Sequence, residues 1–528
     1  MKLLSPVLLF LVLSPFLRGE DYDVIIRHGA VVDGTGKPGF YADVAVKDGR
    51  IANIGKVDGM AAQEIDAAGM VVAPGFIDVH THADDVADFP LAENFLRMGV
   101  TTIVVGNCGS SKLNVGKFFQ NIEEKHVSLN VATLIGHNSV REKAMGGSFD
   151  RAPTPEEMDA MKSLIRQAMQ DGAVGFSTGL IYRPGTFSKP AEIVELAKVI
   201  APFDGIYTSH MRHEDWRIDS ALDEVFQVAR EARVRAEVSH IKLAGEKAWG
   251  QAARILGRIE QARAEGLAVT QDQYVYTASS TSLAQLIPDW AFDGGIDKFN
   301  SVIADPEQKA KLIADMRDML HARGATNYAY ANIAHYAYAP ALDGLNIEAA
   351  AEKVHGTNSL DAQIETILEI EANGGGSGVF HGMNEADLQV FMLHTNTMFA
   401  CDSGVRGFGE GVPHPRGYGN NARVLGRYVR ELKVLKLPEA IRKMTSLPAD
   451  VFQLNDRGRL RVGAPADVVV FDPQKVTSRA TYADPHHYAD GIPFVLVNGV
   501  VVIKDSKHTG ARPGQALRHA TPKANGQS

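Results

Sequence analysis

The chain has 528 residues, of which 45% are hydrophobic and 22% are charged, with a net charge of -9. This composition excludes fibrous and disordered classes, and it supplies apolar material for about two to four globular domains. The pI is about 6.1 and no basic stripe occurs, which excludes the usual basic type of nucleic-acid-binding protein. We therefore expect a soluble enzyme or a binding protein.

The N-terminus has the pattern of a secretory signal peptide. Lys2 precedes an apolar stretch at residues 3–17, and Arg18-Gly19 follows it. The stretch is short for a membrane span and contains two prolines, although an Ala-x-Ala cleavage site is absent. We predict a signal peptide at residues 1–19, export to the periplasm or the medium, and no stable membrane span after its removal. A retained anchor is the alternative.

Short β-type segments with turn residues lie near both ends of the chain. They occupy residues 23–34, 43–55, 466–472 and 494–502. Neither end is large enough to bury a core alone. Residues 20–73 and 457–504 are therefore predicted to combine into one small β-sandwich domain.

Residues 74–456 alternate strand-like segments with amphipathic helical segments, the pattern of a parallel α/β fold. Eight candidate strands lie at residues 76–82, 101–107, 131–136, 175–178, 206–212, 236–242, 268–276 and 397–402. This number closes a (β/α)8 TIM-like barrel. The long gap before the last strand predicts a helical insertion between strands 7 and 8, at about residues 283–372, followed by a flexible glycine-rich segment. The polar residues 505–528 are predicted to form a poorly ordered tail.

Residues with metal-binding side chains follow several of the predicted strands, where parallel barrels place their chemistry. His80 and His82 are two residues apart and share one face of a strand. Taken alone, any one of the 18 histidines would be assigned to packing, whereas the joint pattern predicts a metal site. Nitrogen and sulfur ligands of this mixture suit zinc. The candidate ligands are His80, His82, Cys108, His210 and His240.

Asp402 at the end of strand 8 is the candidate general base, because a carboxylate beside a zinc-activated water can accept and return its proton. A turn or helix-capping aspartate is the alternative. Asp272 and Asp78 are candidates for orienting the histidines.

Cys108 and Cys401 are the only cysteines, and in an exported protein two cysteines raise the hypothesis of a disulfide. Neighbouring strand residues face opposite sides, so Cys401 points toward the helices if Asp402 points into the barrel mouth. A bridge to Cys108 is then geometrically disfavoured, and Cys401 is predicted to be a buried apolar residue.

Residues 74–82 (Pro-Gly-Phe-Ile-Asp-Val-His-Thr-His) resemble the strand 1 signature of the amidohydrolase superfamily. The match to the superfamily continues through residues 462–469. Within it, the chain is most similar to the N-acyl-D-amino-acid deacylases, through residues 106–109, 176–182, 239–242 and 411–416. The resemblance implies a metal centre at the mouth of a barrel beside a β-sandwich. It implies a tight zinc on Cys108, His210 and His240, and a weaker second position near His80 and His82 that Cys108 can bridge.

The resemblance also implies hydrolysis of the amide bond of N-acyl-D-amino acids, with the D-configuration resting on the resemblance alone. Arg416 is the candidate partner of the substrate carboxylate, since its planar fork matches that group, and a surface arginine is the alternative. Lys242 shares a face with His240 and would contact the scissile carbonyl or the carboxylate, unless it forms a structural ion pair. Three further residues match pocket positions of the family: Tyr182, Tyr274 and Ser280.

Two other functions stay open, a dipeptidase acting on peptides that contain a D-residue and a non-catalytic zinc- or solute-binding protein. Metal storage does not require a free base such as Asp402, which argues against the second. A hydantoinase or dihydroorotase is disfavoured, because those enzymes normally use a lysine where this chain has Cys108. Val275 replaces a proline typical of the family, and Ala83 is an extra residue after His82. Both changes bear on substrate preference. The substrate is expected to be a small molecule, and the sequence gives no oligomeric state.

Overall fold

The computed structural model describes residues 21–519, and the predicted signal peptide lies outside that range. Within the described range, no helix combines the length and apolar composition that crossing a bilayer requires.

The strands group by position along the chain. The first group comprises β1 (Tyr22–Val31), β2 (Phe40–Lys47), β3 (Arg50–Gly55), β4 (Ala61–Asp66) and β5 (Val71–Pro74). Seven barrel strands follow: β6 (Phe76–Asp78), β7 (Val100–Val105), β8 (Asn130–Gly136), β9 (Gly175–Gly179), β10 (Ile206–His210), β11 (Arg235–Val238) and β12 (Val269–Gln273). The remaining strands are β13 (Ala278–Ser282), β14 (Ala331–His335), β15 (Ser377–His381), β16 (Thr397–Phe399), β17 (Val468–Phe471), β18 (Phe494–Val497), β19 (Val500–Lys504) and β20 (Lys507–His508).

The helices lie mainly between the barrel strands and in the insertion. The first seven are α1 (Glu93–Leu96), α2 (Val115–Lys125), α3 (His137–Met145), α4 (Pro155–Gln170), α5 (Pro190–Ala197), α6 (Ile218–Ala232) and α7 (Ala252–Ala264). The others are α8 (Ile296–Ala304), α9 (Pro306–Arg323), α10 (Ile347–His355), α11 (Leu360–Ala372), α12 (Glu385–Leu393), α13 (Arg416–Arg423), α14 (Leu437–Met444) and α15 (Ser446–Val451). A π-helical segment, Val424–Glu431, continues α13.

The predicted eight-stranded parallel barrel is confirmed, with the order β16-β12-β11-β10-β9-β8-β7-β6. Strands 1 and 8 are shorter than predicted and end at Asp78 and Phe399. The residues beyond them meet at the seam. The Asp402 amide donates to the His80 carbonyl at 2.9 Å, and the His82 amide donates to the Ser403 carbonyl at 3.0 Å. The two segments that carry candidate site residues therefore close the barrel.

Both ends of the chain contribute to one nine-stranded sheet, as predicted. The junction is β17 against β5, where Val468 pairs with Pro74 and Phe471 with Val71. Inward-facing residues from β1 to β5 and β17 to β19 share one apolar cluster, so the sheet curls around a core separate from the barrel. Burying that core requires both termini.

The prediction of a poorly ordered tail is wrong for residues 505–519. β20 pairs with β19, and the following backbone runs beside β8. The Gly514 amide donates to the Val127 carbonyl at 2.8 Å, and the Leu517 amide donates to the Val131 carbonyl at 2.8 Å. Main-chain pairing with a barrel strand orders this segment, and a polar side-chain composition does not reveal such pairing.

The insertion between β12 and β16 is wider than predicted and is not purely helical. It contains the antiparallel sheet β13-β15-β14, so it begins near Ala278 and ends near His381. Its helices α8 to α11 pack on this sheet around a third apolar cluster. β13 has the sequence Ala-Ser-Ser-Thr-Ser, which lacks the apolar alternation of a strand, and part of the glycine-rich segment predicted to be flexible lies in β15.

Candidate metal centre

The five candidate ligands meet at the mouth of the barrel. The Sγ atom of Cys108 lies 3.6 Å from His210 Nδ1, 3.6 Å from His240 Nε2 and 3.2 Å from His80 Nε2. Cys108, His210 and His240 are all buried. Strands from different parts of the barrel thus bring one sulfur and several imidazole nitrogens to a common point.

The spacing of Cys108, His210 and His240 matches zinc coordination. Zinc bonds of about 2.3 Å to sulfur and about 2.0 Å to nitrogen, at a tetrahedral angle, place sulfur and nitrogen about 3.6 Å apart. This is the separation between Cys108 Sγ and each of the two imidazole nitrogens. The donor set and its geometry therefore fit a zinc ion.

A second group of ligand atoms adjoins the first. Asp402 Oδ1 lies 3.0 Å from His82 Nε2 and 3.6 Å from His80 Nε2. Donor atoms within 4.8 Å of one another also define the sets His80–His82–Cys108 and His80–His240–Asp402. The Cys108 sulfur lies within 3.6 Å of imidazole nitrogens from both groups, which is the position that a ligand shared by two metal ions would take. His82 is the most open member, with a side chain 39% exposed.

The backbone turns sharply at three of these residues. Cys108, His240 and Asp402 have φ values of 52°, 37° and 51°, in the left-handed region. Such a conformation costs about 1–3 kcal/mol for a residue other than glycine, and it persists when the surroundings enforce it. Each turn follows the end of a barrel strand and redirects the side chain into the mouth.

Asp272 orients the imidazole of His80, as predicted from its place in strand 7, and it holds the backbone of His240. Its Oδ2 lies 3.1 Å from His80 Nδ1, and its Oδ1 accepts from the His240 amide at 3.0 Å. Asp78 acts differently from the expectation, because it contacts backbone and no imidazole. It accepts from the His80 amide at 3.2 Å and the Cys401 amide at 2.9 Å, which ties β6 to the chain after β16.

Sequence reasoning places Glu214 near the pocket but assigns it no role, whereas the structure places it between the two zinc-spaced histidines. Its Oε1 is 3.0 Å from His240 Nδ1, and its Oε2 is 3.5 Å from His210 Nε2, the latter without the alignment of a hydrogen bond. Lys242 Nζ also contacts Oε1, at 2.6 Å. Lys242 Nζ also lies 2.7 Å from His240 Nδ1. A histidine that binds a metal through Nε2 carries its proton on Nδ1, so both of these atoms are donors and cannot hydrogen-bond to each other. Glu214 is therefore the shared acceptor, and its spacing of four residues from His210 is the only sequence signal for it.

The ionisation of the site follows from these contacts. Burial raises the pKa of the Cys108 thiol, but His80 and hydrogen bonds from His210 and His240 bring that pKa well below its usual value. Burial likewise raises the pKa of Asp402, while Arg416, His240 and His80 lower it well below the usual value. The pKa of Glu214 is also lowered, because Lys242 and the two histidines outweigh its burial. The surroundings therefore favour the ionised forms of these three groups, a thiolate at Cys108 and carboxylates at Asp402 and Glu214.

Arg416 is buried at the metal centre, with only 4% of its surface exposed, so the alternative of a surface arginine is wrong. Its Nη1 lies 2.9 Å from Asp402 Oδ2, without the alignment of a hydrogen bond. Its Nη2 donates to the Ser280 carbonyl at 3.3 Å, and its guanidinium lies 4.5 Å from the centre of the Tyr274 ring. Nη1 thus retains donor capacity beside Asp402, which lines the cavity described below, although Arg416 itself is not among the lining residues.

His414 fixes the segment that carries Arg416. The His414 Nδ1 atom accepts from the Arg416 amide at 3.0 Å, so Nε2 carries the proton and donates to the Ala278 carbonyl at 2.9 Å. The pKa of His414 is held well below its usual value, mainly by burial and secondly by the positive charge of Arg416. A neutral histidine therefore connects the arginine to the first strand of the insertion.

A cavity of about 760 Å³ opens over the metal centre. Its floor includes His210, His240 and Asp402, and its outer wall comes from the insertion. The predicted pocket residues Tyr182, Lys242, Tyr274 and Ser280 all line it. The hydroxyl of Tyr274 is buried without a hydrogen-bond partner among the described residues, whereas the Tyr182 hydroxyl accepts from Thr281 at 3.2 Å. Lys242 is 5% exposed and paired with Glu214, which is the structural ion pair considered above.

Cys401 is buried and free, and so is Cys108. The expectation that the two cysteines form no disulfide is confirmed. Cys401 lies in the apolar cluster around the barrel.

Comparisons with known proteins agree with this site. The profile of the amidohydrolase family matches residues 63–278 and 406–503, more than half of the chain. The chain is 35% identical to an N-acyl-D-glutamate deacylase and 32% identical to a D-aminoacylase, both from Alcaligenes xylosoxydans xylosoxydans. Each alignment covers 94% of this chain, with 97% and 98% of those proteins. The crystal structure of an N-acyl-D-glutamate deacylase from Bordetella bronchiseptica, complexed with zinc and a phosphonate inhibitor, is 33% identical. It superposes with a TM-score of 0.80 over 94% of this chain and 100% of that one. The chain therefore belongs to the amidohydrolase family, within its N-acyl-D-amino-acid deacylase branch.

Proposed function

We propose that this chain is a zinc-dependent hydrolase of the amide bond in N-acyl-D-amino acids, releasing a carboxylate and a D-amino acid. The observation that carries the proposal is the set Cys108, His210 and His240, with zinc-like spacing of 3.6 Å beneath an open cavity. His80, His82, Asp402 and Cys108 would hold a second, weaker ion. Zinc, when bound, supplies Lewis-acid polarisation of the scissile carbonyl and activation of the attacking water.

Asp402 is proposed to move the proton. It takes one proton from the attacking water and delivers it to the nitrogen of the leaving amino acid, so that the amide C–N bond breaks to a neutral amine. Three observations support this role: Asp402 lines the cavity, its carboxyl is held ionised, and its Oδ1 faces the imidazoles of His80 and His82. A capping aspartate on the surface would have none of these surroundings.

Arg416 is proposed to bind the α-carboxylate of the substrate. Its buried Nη1 has no aligned acceptor among residues 21–519, and a carboxylate in the cavity would supply one. The neighbouring Tyr274 hydroxyl, also buried and unpartnered, is positioned to donate to the same substrate. Ser280 contributes through its backbone carbonyl, which holds the Arg416 side chain.

The size of the cavity favours dipeptides with a D-residue at the carboxyl end as a second substrate class. A volume of about 760 Å³ exceeds what a short acyl group needs. Such peptides present the same amide and the same carboxylate. Export of the enzyme is part of the proposal and rests on the apolar stretch at residues 3–17.

The test is zinc content together with hydrolysis of paired D- and L-forms of N-acetylmethionine and N-acetylglutamate and of matched dipeptides. We expect about one tightly held zinc per chain, turnover of the D-forms, and a loss of about 10²–10⁴-fold in kcat for Asp402→Asn. The control variant is Asp272→Asn, which should weaken zinc binding before it changes the chemical step. Undiminished turnover in Asp402→Asn would refute the proton-transfer role, and zinc binding without any hydrolysis would favour a binding protein.

A further inference from the structure

The turn that carries Cys108 departs from the geometry of the strand before it. Residues 106–109 (Gly-Asn-Cys-Gly) follow β7, and Gly106, Cys108 and Gly109 have positive φ values of 78°, 52° and 78°. A left-handed conformation at a residue other than glycine persists where the surrounding structure enforces it. The Cys108 sulfur lies within 3.6 Å of three imidazole nitrogens and must keep that place to serve as a shared ligand. Other groups therefore have to hold this turn.

The hydroxyl of Ser177 joins the two ends of the turn. Ser177 lies in β9, the fourth strand of the barrel, and is completely buried. Its Oγ donates to the Gly106 carbonyl at 2.5 Å and accepts from the Gly109 amide at 3.1 Å. A serine hydroxyl has one proton to donate, and here that proton goes to the segment that carries Cys108. Within residues 21–519, no other side chain hydrogen-bonds to both Gly106 and Gly109.

Two glycines at the ends of neighbouring strands make room for the turn. A Cβ on Gly179, the last residue of β9, would lie 2.1 Å from the Cys108 carbonyl oxygen. β8 lies between β7 and β9 and ends in Gly136, where a Cβ would lie 2.3 Å from the Gly109 carbonyl oxygen. Glycine permits such a close approach of two backbones. The turn therefore lies directly on the ends of β8 and β9, within reach of Ser177.

Asn107 holds the other side of the turn. Its side chain is buried, and its Nδ2 donates to the Val104 carbonyl at 3.0 Å and to the Val79 carbonyl at 3.2 Å. Val79 directly precedes His80, so this contact connects the turn to the strand that supplies two other candidate ligands. Asn107 thus fixes the turn against strands 1 and 2 of the barrel. Ser177 is left to fix it against strand 4.

We infer that Ser177 is a positioning residue of the metal centre, whose hydroxyl holds the turn that presents the Cys108 sulfur to the metal. The inference rests on the proposed function and deepens it, since it concerns the ligand set that the function requires. Ser177 is not among the residues that line the cavity, and its hydroxyl acts through the backbone of the turn. Without it, the buried Gly106 carbonyl and Gly109 amide lose this partner. Cys108 can then relax toward a more ordinary conformation, which moves its sulfur away from the imidazoles.

The test is the zinc affinity of Ser177→Ala, measured by competition with a chromophoric chelator. We expect it to fall by about 10-fold or more, the effect of losing a group that orients a metal ligand. The matched control is Ser446→Ala. Ser446 is also buried, and its Oγ donates to the Gly34 carbonyl at 2.6 Å, between α15 and the loop after β1. Both variants should lose similar stability in denaturant unfolding of the zinc-free protein, whereas Ser446→Ala should keep the zinc affinity of the wild type.

Replacing zinc with Co²⁺ gives a spectroscopic readout of the sulfur itself, because a thiolate bound to Co²⁺ produces a charge-transfer absorption. We expect this absorption to weaken in Ser177→Ala and to stay unchanged in Ser446→Ala. The inference is overturned if Ser177→Ala binds zinc within about threefold of the wild type, if its cobalt spectrum is unchanged, or if Ser446→Ala loses as much zinc affinity. Neither measurement needs turnover. A wild-type protein that binds zinc without hydrolysing any N-acyl-D-amino acid would refute the proposed function and leave the role of Ser177 standing.

Discussion

Glu214→Gln is the most informative single change, because Glu214 touches both zinc-spaced histidines and one buried lysine. The substitution keeps the shape of the side chain and removes its charge. One carboxylate oxygen lies 3.0 Å from His240 Nδ1 and the other lies 3.5 Å from His210 Nε2. Partners of this kind fix the tautomer and orientation of a metal-binding imidazole, and losing one costs about 10- to 100-fold in metal affinity. Because the contact to His240 is the shorter one and His210 Nε2 has no aligned hydrogen bond, we expect a loss of about 10- to 100-fold, about 1.4–2.8 kcal/mol.

The same change also affects folding stability through Lys242, which is 5% exposed and relies on Glu214 for its counter-charge. Leaving one member of a buried ion pair unpaired costs about 3–5 kcal/mol. The double variant Glu214→Gln with Lys242→Met removes both charges. It should regain most of the free energy of unfolding while zinc affinity stays about 10- to 100-fold lower.

Zinc affinity is measured by competition with a chromophoric chelator, and stability by denaturant unfolding of the zinc-free protein. Glu192→Gln is the matched control, since Glu192 is also buried and pairs with His137 at 2.9 Å and Arg141 at 3.0 Å, away from the metal centre. It should lose stability and retain zinc affinity. A zinc affinity of Glu214→Gln within about threefold of the wild type would refute the orienting role.

Two further changes test other parts of the site. Cys108→Ser replaces the shared thiolate with a weaker ligand, and we expect metal analysis to show a loss of zinc affinity of at least about 100-fold together with the loss of hydrolysis. His414 has a pKa held below its ordinary value of 6.5, so the unfolded chain gains a proton that the folded chain does not as pH falls through 6.5. Stability should then fall by up to about 1.4 kcal/mol per pH unit between pH 6.5 and pH 5. Thermal unfolding of His414→Asn, measured at pH 6.5 and at pH 5, should not show this loss of stability. An identical slope in the two proteins would contradict the assignment.

Much of the fold was accessible to sequence reasoning because it rests on local patterns. Alternating strand and helix segments predict a parallel barrel, and two terminal groups of strands too small to bury a core must combine. The insertion was harder. β13 consists of alanine, serine and threonine, and it becomes a strand only through pairing with β15. Residues 505–519 are ordered for a similar reason, because their backbone pairs with distant strands.

The sequence by itself determined which residues could form a metal site, because His80, His82, Cys108, His210 and His240 follow barrel strands whose ends must converge. Only the tertiary structure decided their distances, which depend on the turns after each strand and on the seam where His80 meets Asp402. It also decided which charges are paired. The sequence assigns no role to Glu214 or Arg323, since charge pairing depends on side chains brought together from separate elements. In the fold, Glu214 joins two histidines to a lysine, and Arg323 faces the cavity without an ion-pair partner in the described part of the chain.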